Sequence, residues 1–243
     1  MNEAGHANGL ARFARFAYAP NALGYCGPEN DRALLELGAH AGVASDADAI
    51  RMRELVRRFE GAWPYLELIA AANGMADPLD DRVVEAYWIG NPLIEQVDPR
   101  AFGAHGEARP HHQYHVFVTY PWVSLLRGDH APIALDVLDR CRVRWGEVVA
   151  VTPGEAIVRS QPLEWDGRAL ALGTARDETA VTALDGLGFV TDLVVGDWVA
   201  LHWEWVCEKL TPTGLRSLRR LTTIHLDLAN YATAADQVAP RDA

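Results

Sequence analysis

The chain has 243 residues, of which 49% are hydrophobic and 23% charged, a balance typical of a folded globular protein and not of a disordered or fibrous one. Its 33 acidic residues outnumber its 22 basic ones, so the formal net charge is -11. This charge disfavours nucleic acid and anionic membranes as partners, because such binding depends on clustered Lys and Arg.

The first part of the chain carries apolar residues at helical spacing, which predicts an all-α domain over residues 1–138. The clearest helix is predicted to begin after Ser45 as its N-cap, and Pro64 should divide it. Further helices are predicted around residues 9–17, 31–41, 80–88 and 110–126. The amino terminus has no signal-peptide core, and no apolar run approaches the ~18 residues of a membrane span. We therefore expect neither export nor membrane insertion.

After Arg140 the pattern changes to short runs rich in β-branched and aromatic residues, separated by turns that contain Gly or Pro. Several short strands at close intervals predict a small barrel or sandwich. The runs are residues 143–151, 155–160, 189–195 and 197–206. Cys141 alternates in phase with Val143 and Trp145, which predicts a buried thiol on the first strand.

A final helix is predicted to begin with Thr211 as N-cap and Pro212 at the first helical position. The sequence therefore predicts an α+β protein with three parts: the helical domain at 1–138, a small β-barrel with a C-terminal helix at 139–233, and a flexible tail at 234–243. Three widely spaced cysteines are not the pattern of a disulfide scaffold and indicate the reducing cytoplasm.

Two motifs precede the final helix. In the first, a turn glycine follows Cys141 by five positions and opens a G-x-V strand, Gly146-Glu-Val148. The second is G-D-x-V-x-x-H, from Gly196 to His202, followed by an apolar stretch and a Glu-Lys pair. On these motifs the second half resembles the HypC/HupF chaperones of nickel–iron hydrogenase maturation, whose fold is a small, OB-like β-barrel with a C-terminal helix. The complete chain also resembles an uncharacterised bacterial family.

The HypC/HupF resemblance implies that Cys141 and His202 bind iron as a fragment that carries cyanide and carbon monoxide ligands. It also implies delivery to a hydrogenase large subunit, with other maturation proteins as partners. A thiolate and a neutral imidazole suit such an iron. The chain departs from the family pattern in three places: Cys141 is internal instead of N-terminal, Trp145 replaces a usual proline, and Glu204 lies near a usual glycine.

The helical half contributes its own candidate ligands. His105 precedes a dense cluster of His111, His112 and His115, and the four-residue spacing of His111 and His115 would put two imidazoles on one helix face. The alternative is that these are surface or interface histidines. Cys26 lies between glycines, where it is either a buried thiol in a capping turn or part of a ligand site.

Three functions are compatible with these residues. The favoured one is a non-enzymatic accessory or escort protein that handles iron through Cys141 and His202. The second is a metal-dependent enzyme with its site at the junction of the two halves, since domain junctions favour pockets. That site would draw on His111, His112, His115, Cys26 and Glu204. The third is a protein-interaction module without metal chemistry. No P-loop, nucleophile elbow, dinucleotide fingerprint or paired CxxC is present. The metal and the oligomeric state stay open.

Overall fold

The computed structural model describes residues 3–29, 31–40, 45–104, 106–120 and 122–238. Helices make up the part of the chain that precedes the sheet. They are α1 (Glu3–Ala22), α2 (Asp31–His40), α3 (Asp46–Arg57), α4 (Trp63–Ala72), α5 (Asp81–Trp88), two 3-10 helices (Pro92–Gln96 and Pro99–Phe102), α6 (His112–Tyr114), a π-helical turn (His115–Thr119), α7 (Trp122–Leu125) and α8 (Ala131–Cys141).

Two predicted helix boundaries are confirmed by their local chemistry. The hydroxyl of Ser45 accepts a hydrogen bond from the backbone N–H of Asp48 at 3.2 Å and so caps α3. Helix α3 ends at Arg57, and Pro64 lies in the first turn of α4, where its missing N–H costs nothing. A second proline, Pro20, lies inside α1, near its carboxyl end.

The predicted helix over residues 110–126 is wrong as a single element. The structure has the short α6, the π-helical turn and α7 in its place. The backbone of Tyr120 is extended, with φ -77° and ψ 139°. Tyr120 precedes a proline in the sequence, and a residue before proline is disfavoured in the helical conformation.

Short strands and one long helix form the rest of the chain. They are β1 (Arg144–Thr152), β2 (Glu155–Ser160), β3 (Leu163–Trp165), β4 (Leu170–Leu172), β5 (Arg176–Val181), β6 (Ala183–Leu184), β7 (Leu187–Gly188), β8 (Trp198–His202), β9 (Trp205–Lys209) and α9 (Pro212–Val238).

The five longer strands form one mixed sheet in the order β1-β2-β5-β9-β8, and β8 pairs in turn with β1, so that the order closes on itself. All pairings are antiparallel except that of β5 with β9, where Val181 lies opposite Trp205. The predicted α+β class is confirmed: helices come first, the mixed sheet follows, and a helix ends the described chain.

Cys141 does not lie on a strand, contrary to the prediction. It is the last residue of α8, because the backbone N–H of the next residue, Arg142, still donates a hydrogen bond to the carbonyl of Leu138 four positions earlier, as in an α-helix. The chain turns extended only at Arg142, whose guanidinium is buried and paired with Asp139. This ion pair between a buried guanidinium and a partly buried carboxylate anchors the junction between helix and strand.

Two predicted strands also differ in the structure. Residues 189–195 form no strand. They end in a turn where the carboxylate of Asp197 accepts a hydrogen bond from the backbone N–H of Val194, and the side chain of Val195 is 66% exposed. The run 197–206 is not one strand but the hairpin β8–β9. Trp203 has a left-handed φ of 53° at its turn, where its carbonyl accepts a hydrogen bond from the buried guanidinium of Arg144.

One buried core joins residues from both halves of the sequence. It includes Phe16 of α1, stacked on Trp88 of α5 with ring centroids 5.1 Å apart, together with Trp203 and Leu218. The terminal helix begins as predicted, because the hydroxyl of Thr211 accepts from an N–H of its first turn at 3.0 Å. It continues through Val238, and residues 239–243 lie outside the described ranges. Within those ranges, none of the helices combines the length and the apolar character that crossing a bilayer requires.

A candidate metal site at the junction of helices and sheet

Three side chains from distant parts of the sequence meet where the helices contact the sheet. His112 begins α6, Cys141 ends α8 and His202 ends β8. One ligand atom of each, a ring nitrogen or the sulfur, lies within 4.8 Å of the other two. The resemblance-based pair of Cys141 and His202 is therefore close in space, and a third residue from the helical half joins it.

His202 is 1% exposed, and its two ring nitrogens have different environments. Nδ1 lies 2.5 Å from the backbone carbonyl of Phe16. A carbonyl can only accept, so Nδ1 carries the hydrogen and Nε2 keeps its lone pair. Nε2 is buried and makes no hydrogen bond of good geometry with the described residues, although the backbone of Cys141 is close enough to the ring to act toward a higher pKa. Burial lowers the pKa of His202 to about 4, so the ring is neutral at physiological pH. Metal-ligating histidines show this arrangement, with the second nitrogen held by a backbone carbonyl.

His112 also keeps a lone pair for a ligand. Its Nε2 donates to the carbonyl of Cys141 at 2.8 Å, and its Nδ1 lies 3.2 Å from the hydroxyl of Tyr87. That hydroxyl has a single hydrogen, which it donates to the carbonyl of Gly61 at 3.0 Å. The two available hydrogens thus satisfy the two carbonyls, and Nδ1 keeps its lone pair beside the Tyr87 hydroxyl. Burial, and secondly His202, lowers the pKa of His112 well below its usual value.

The thiol of Cys141 is free, and its residue is partly buried. Burial raises its pKa to about 12, with Cys26 acting in the same direction. Its place at the carboxyl end of α8, the negative end of the helix dipole, also disfavours a thiolate. Cys141 is thus a protonated thiol at neutral pH and no ready nucleophile. A bound cation would supply the charge that ionises it.

The three side chains open on a cavity of about 50 Å³, enough for a few water molecules. Most of its wall is apolar or aromatic, including Phe59, Trp88 and Leu138. Cys26 and His115 also line it. Burial raises the pKa of Cys26 to about 11 and lowers that of His115. His115 lies beside the cluster, its ring centroid 6.4 Å from that of His112, and its Nδ1 has no hydrogen-bond partner in the described structure.

The other predicted site residues lie elsewhere. His111 is buried against His225, their rings stacked 6.0 Å apart, and its Nδ1 accepts from the N–H of Gln113. Glu204 pairs with Arg140 at the partly exposed turn between β8 and β9.

Trp145 belongs to the main core, where the guanidinium of Arg219 lies 5.7 Å from its ring centroid. His105 lies outside the described residues. The contribution of Tyr87, whose hydroxyl oxygen lies 3.2 Å from Nδ1 of His112, was not predicted at all. Its sequence neighbourhood, which includes Trp88, has the pattern of a buried core and carries no signal for a ligand site.

Comparison with known proteins places the chain in a family without identifying an activity. No curated protein and no solved structure matches it. The sequence does match a family described as a family of unknown function (DUF6390), over residues 5–106 and 104–236. These two ranges span nearly all of the described chain, including every residue of the candidate metal site. The chain therefore belongs to the DUF6390 family.

Proposed function

We propose that this protein is a metal-dependent enzyme that binds a transition-metal ion through His112, Cys141 and His202 and acts on a small molecule in the adjoining cavity. The observation that carries the proposal is that one ligand atom of each of the three residues lies within 4.8 Å of the other two, while Nε2 of His202 is buried without a hydrogen-bond partner among the described residues. A buried acceptor without a partner costs about 1–3 kcal/mol, and a metal ion would remove that cost.

The donor set limits the choice of metal. One thiolate and two imidazoles suit zinc, iron, copper or nickel, and they do not suit magnesium or calcium, which prefer oxygen ligands. Three protein ligands also leave a coordination position open, as catalytic sites do, whereas structural zinc sites are closed by four. Cys26 lines the same cavity but lies outside the group of three.

The location supports an enzyme over a simple carrier. His112 comes from the helical half and His202 from the sheet, so the site depends on both parts of the chain. Junctions of this kind are common places for small-molecule pockets. A metal with an open position can polarise a substrate or lower the pKa of a bound water, and an apolar wall strengthens such electrostatic effects.

Metal content tests the proposal directly. The purified full-length chain should contain close to one equivalent of a transition metal, and the cobalt-substituted protein should show a thiolate-to-cobalt absorption band. His202→Ala and Cys141→Ser should lose both signals. Cys207→Ala serves as the matched control, because Cys207 is a buried free thiol that does not line the cavity. A wild-type protein that takes up no metal, or a Cys141→Ser variant that keeps the band, would refute the site.

The second proposed function is the iron-handling role that the HypC/HupF resemblance implies. It is supported by the closeness of Cys141 and His202, and by a strand order that closes on itself ahead of a terminal helix, as in a small barrel. In this role the chain would hold a ligand-bearing iron fragment and dock on a hydrogenase large subunit or on maturation proteins. The DUF6390 match neither adds to nor removes from this support.

Co-expression separates these functions. An escort protein isolated together with the hydrogenase maturation system should carry iron, show the infrared bands of cyanide and carbon monoxide, and co-purify with that machinery. An enzyme should bind its metal without that system. If neither form binds metal, but a partner still binds after Cys141→Ala, the protein is an interaction module.

A further inference from the structure

The described residues give the cavity beside the candidate metal site a wall without charged side chains. None of the described residues that line it is Asp, Glu, Lys or Arg. Its apolar lining includes Ala17, Phe59, Val137 and Leu138. A charge inside such a cavity is expensive unless another charge inside the same cavity balances it.

The proposed metal site would leave one positive charge in this cavity. A divalent ion brings two positive charges, the thiolate of Cys141 removes one, and the imidazoles of His112 and His202 remove none. Among the described residues no carboxylate is placed to remove the other. Cys26 also lines the cavity as a free thiol but lies outside the group of three, so the ligand that enters the open position is the source of negative charge nearest the metal.

His115 is a residue of the cavity wall that is available for a polar contact with that ligand. It lines the cavity, and its Nδ1 is buried without a partner in the described structure. It is not one of the three metal-ligand candidates. On its other side, a Cβ placed at Gly61 would lie only 2.7 Å from Nε2, so the ring has little room to move away.

We propose that the open position of the metal takes a small monoanion, or the hydroxide that remains when a bound water releases its proton to solvent, and that His115 hydrogen-bonds to this ligand. The inference rests on the proposed metal site and adds the chemical class of what enters it. The cavity of about 50 Å³ has room for a few water molecules, so the anion is small, and formate serves as its representative. Bulky anions are excluded by their size, and dianions are excluded because their charge exceeds the one positive charge of the site.

Cobalt-loaded full-length protein provides the test. Formate and formamide are nearly equal in size and shape and differ in charge, so formate should shift the visible cobalt bands with at least about tenfold higher affinity than formamide. Benzoate, which has the same charge and a larger body, should leave the spectrum unchanged. Equal affinity for formate and formamide, or a response to benzoate as strong as that to formate, would overturn the proposal.

The role of His115 has its own variants. His115→Phe should weaken formate binding about tenfold, because a hydrogen bond to a charged group is lost, while cobalt affinity stays unchanged. His130→Ala is the control, since His130 is an exposed histidine that does not line the cavity. Unchanged formate affinity in His115→Phe would remove His115 from the proposal. Failure of cobalt to bind would refute the metal site itself, whereas cobalt binding without any formate response would refute only this inference.

Discussion

Metal binding should release one proton for each ion bound, and that proton should come from Cys141. The pKa of this thiol is about 12, so at pH 7 only about one molecule in 10⁵ carries the thiolate. His202, with a pKa of about 4, and His112, whose pKa is also lowered, are already neutral and release nothing. Raising the pH by one unit between pH 5 and 7 should therefore strengthen metal binding about tenfold.

Titration calorimetry in buffers of different ionisation enthalpy counts these protons. The count is best taken near pH 6, where a metal-bound water, with a pKa of about 7 in catalytic zinc sites, is still largely protonated. In Cys141→Ser the pH dependence over this range should disappear together with most of the affinity. Release of no proton by the wild-type protein would show either that the sulfur is not a ligand or that it is already ionised, and either result would refute the reasoning.

Three further substitutions test individual contacts. Gly61→Ala should weaken formate binding to the cobalt protein and spare cobalt affinity, because the new methyl group displaces His115; an unchanged formate titration would contradict this. Tyr87→Phe should lower the free energy of unfolding in urea by about 1 kcal/mol, because the partly buried Gly61 carbonyl loses its donor. A loss of metal in the same variant would show that Tyr87 also orients the site. Glu204→Ala breaks a partly exposed ion pair with Arg140, so the free energy of unfolding should fall by less than about 1 kcal/mol and the metal content should not change. A lower metal content in this variant would show that Glu204 takes part in metal binding.

The sequence allowed the fold class and many elements to be predicted, because their causes are local. The cap at Ser45, the start of α9 after Thr211, and the strand β2 follow from capping chemistry and from alternation of apolar residues. Residues 189–195 have the composition of a strand, yet strand formation needs a neighbour with free backbone groups, and local composition cannot report one.

The site was predictable only in part. The order of the two motifs singled out Cys141 and His202, and the distance between them depends on the tertiary fold. The spacing argument for His111 and His115 assumed a continuous α-helix. His111 is instead the extended N-cap of α6, with φ -124° and ψ 153°, so it does not share a helix face with His115, and the residue that joins the cluster is His112. No periodicity in the sequence distinguishes these three histidines.

Pro20 connects the backbone of α1 to the chemistry of the site. A proline has no N–H, so it cannot bond the carbonyl four residues earlier, and in α1 that carbonyl belongs to Phe16. The acceptor that the proline leaves vacant is the one that receives the Nδ1 hydrogen of His202. An apparent defect in the first helix thus determines which nitrogen of a distant histidine is free. A helix former at position 20 would supply a competing N–H and loosen the choice of tautomer. It would alter the cavity wall, which Pro20 helps to line, but none of the three candidate ligands.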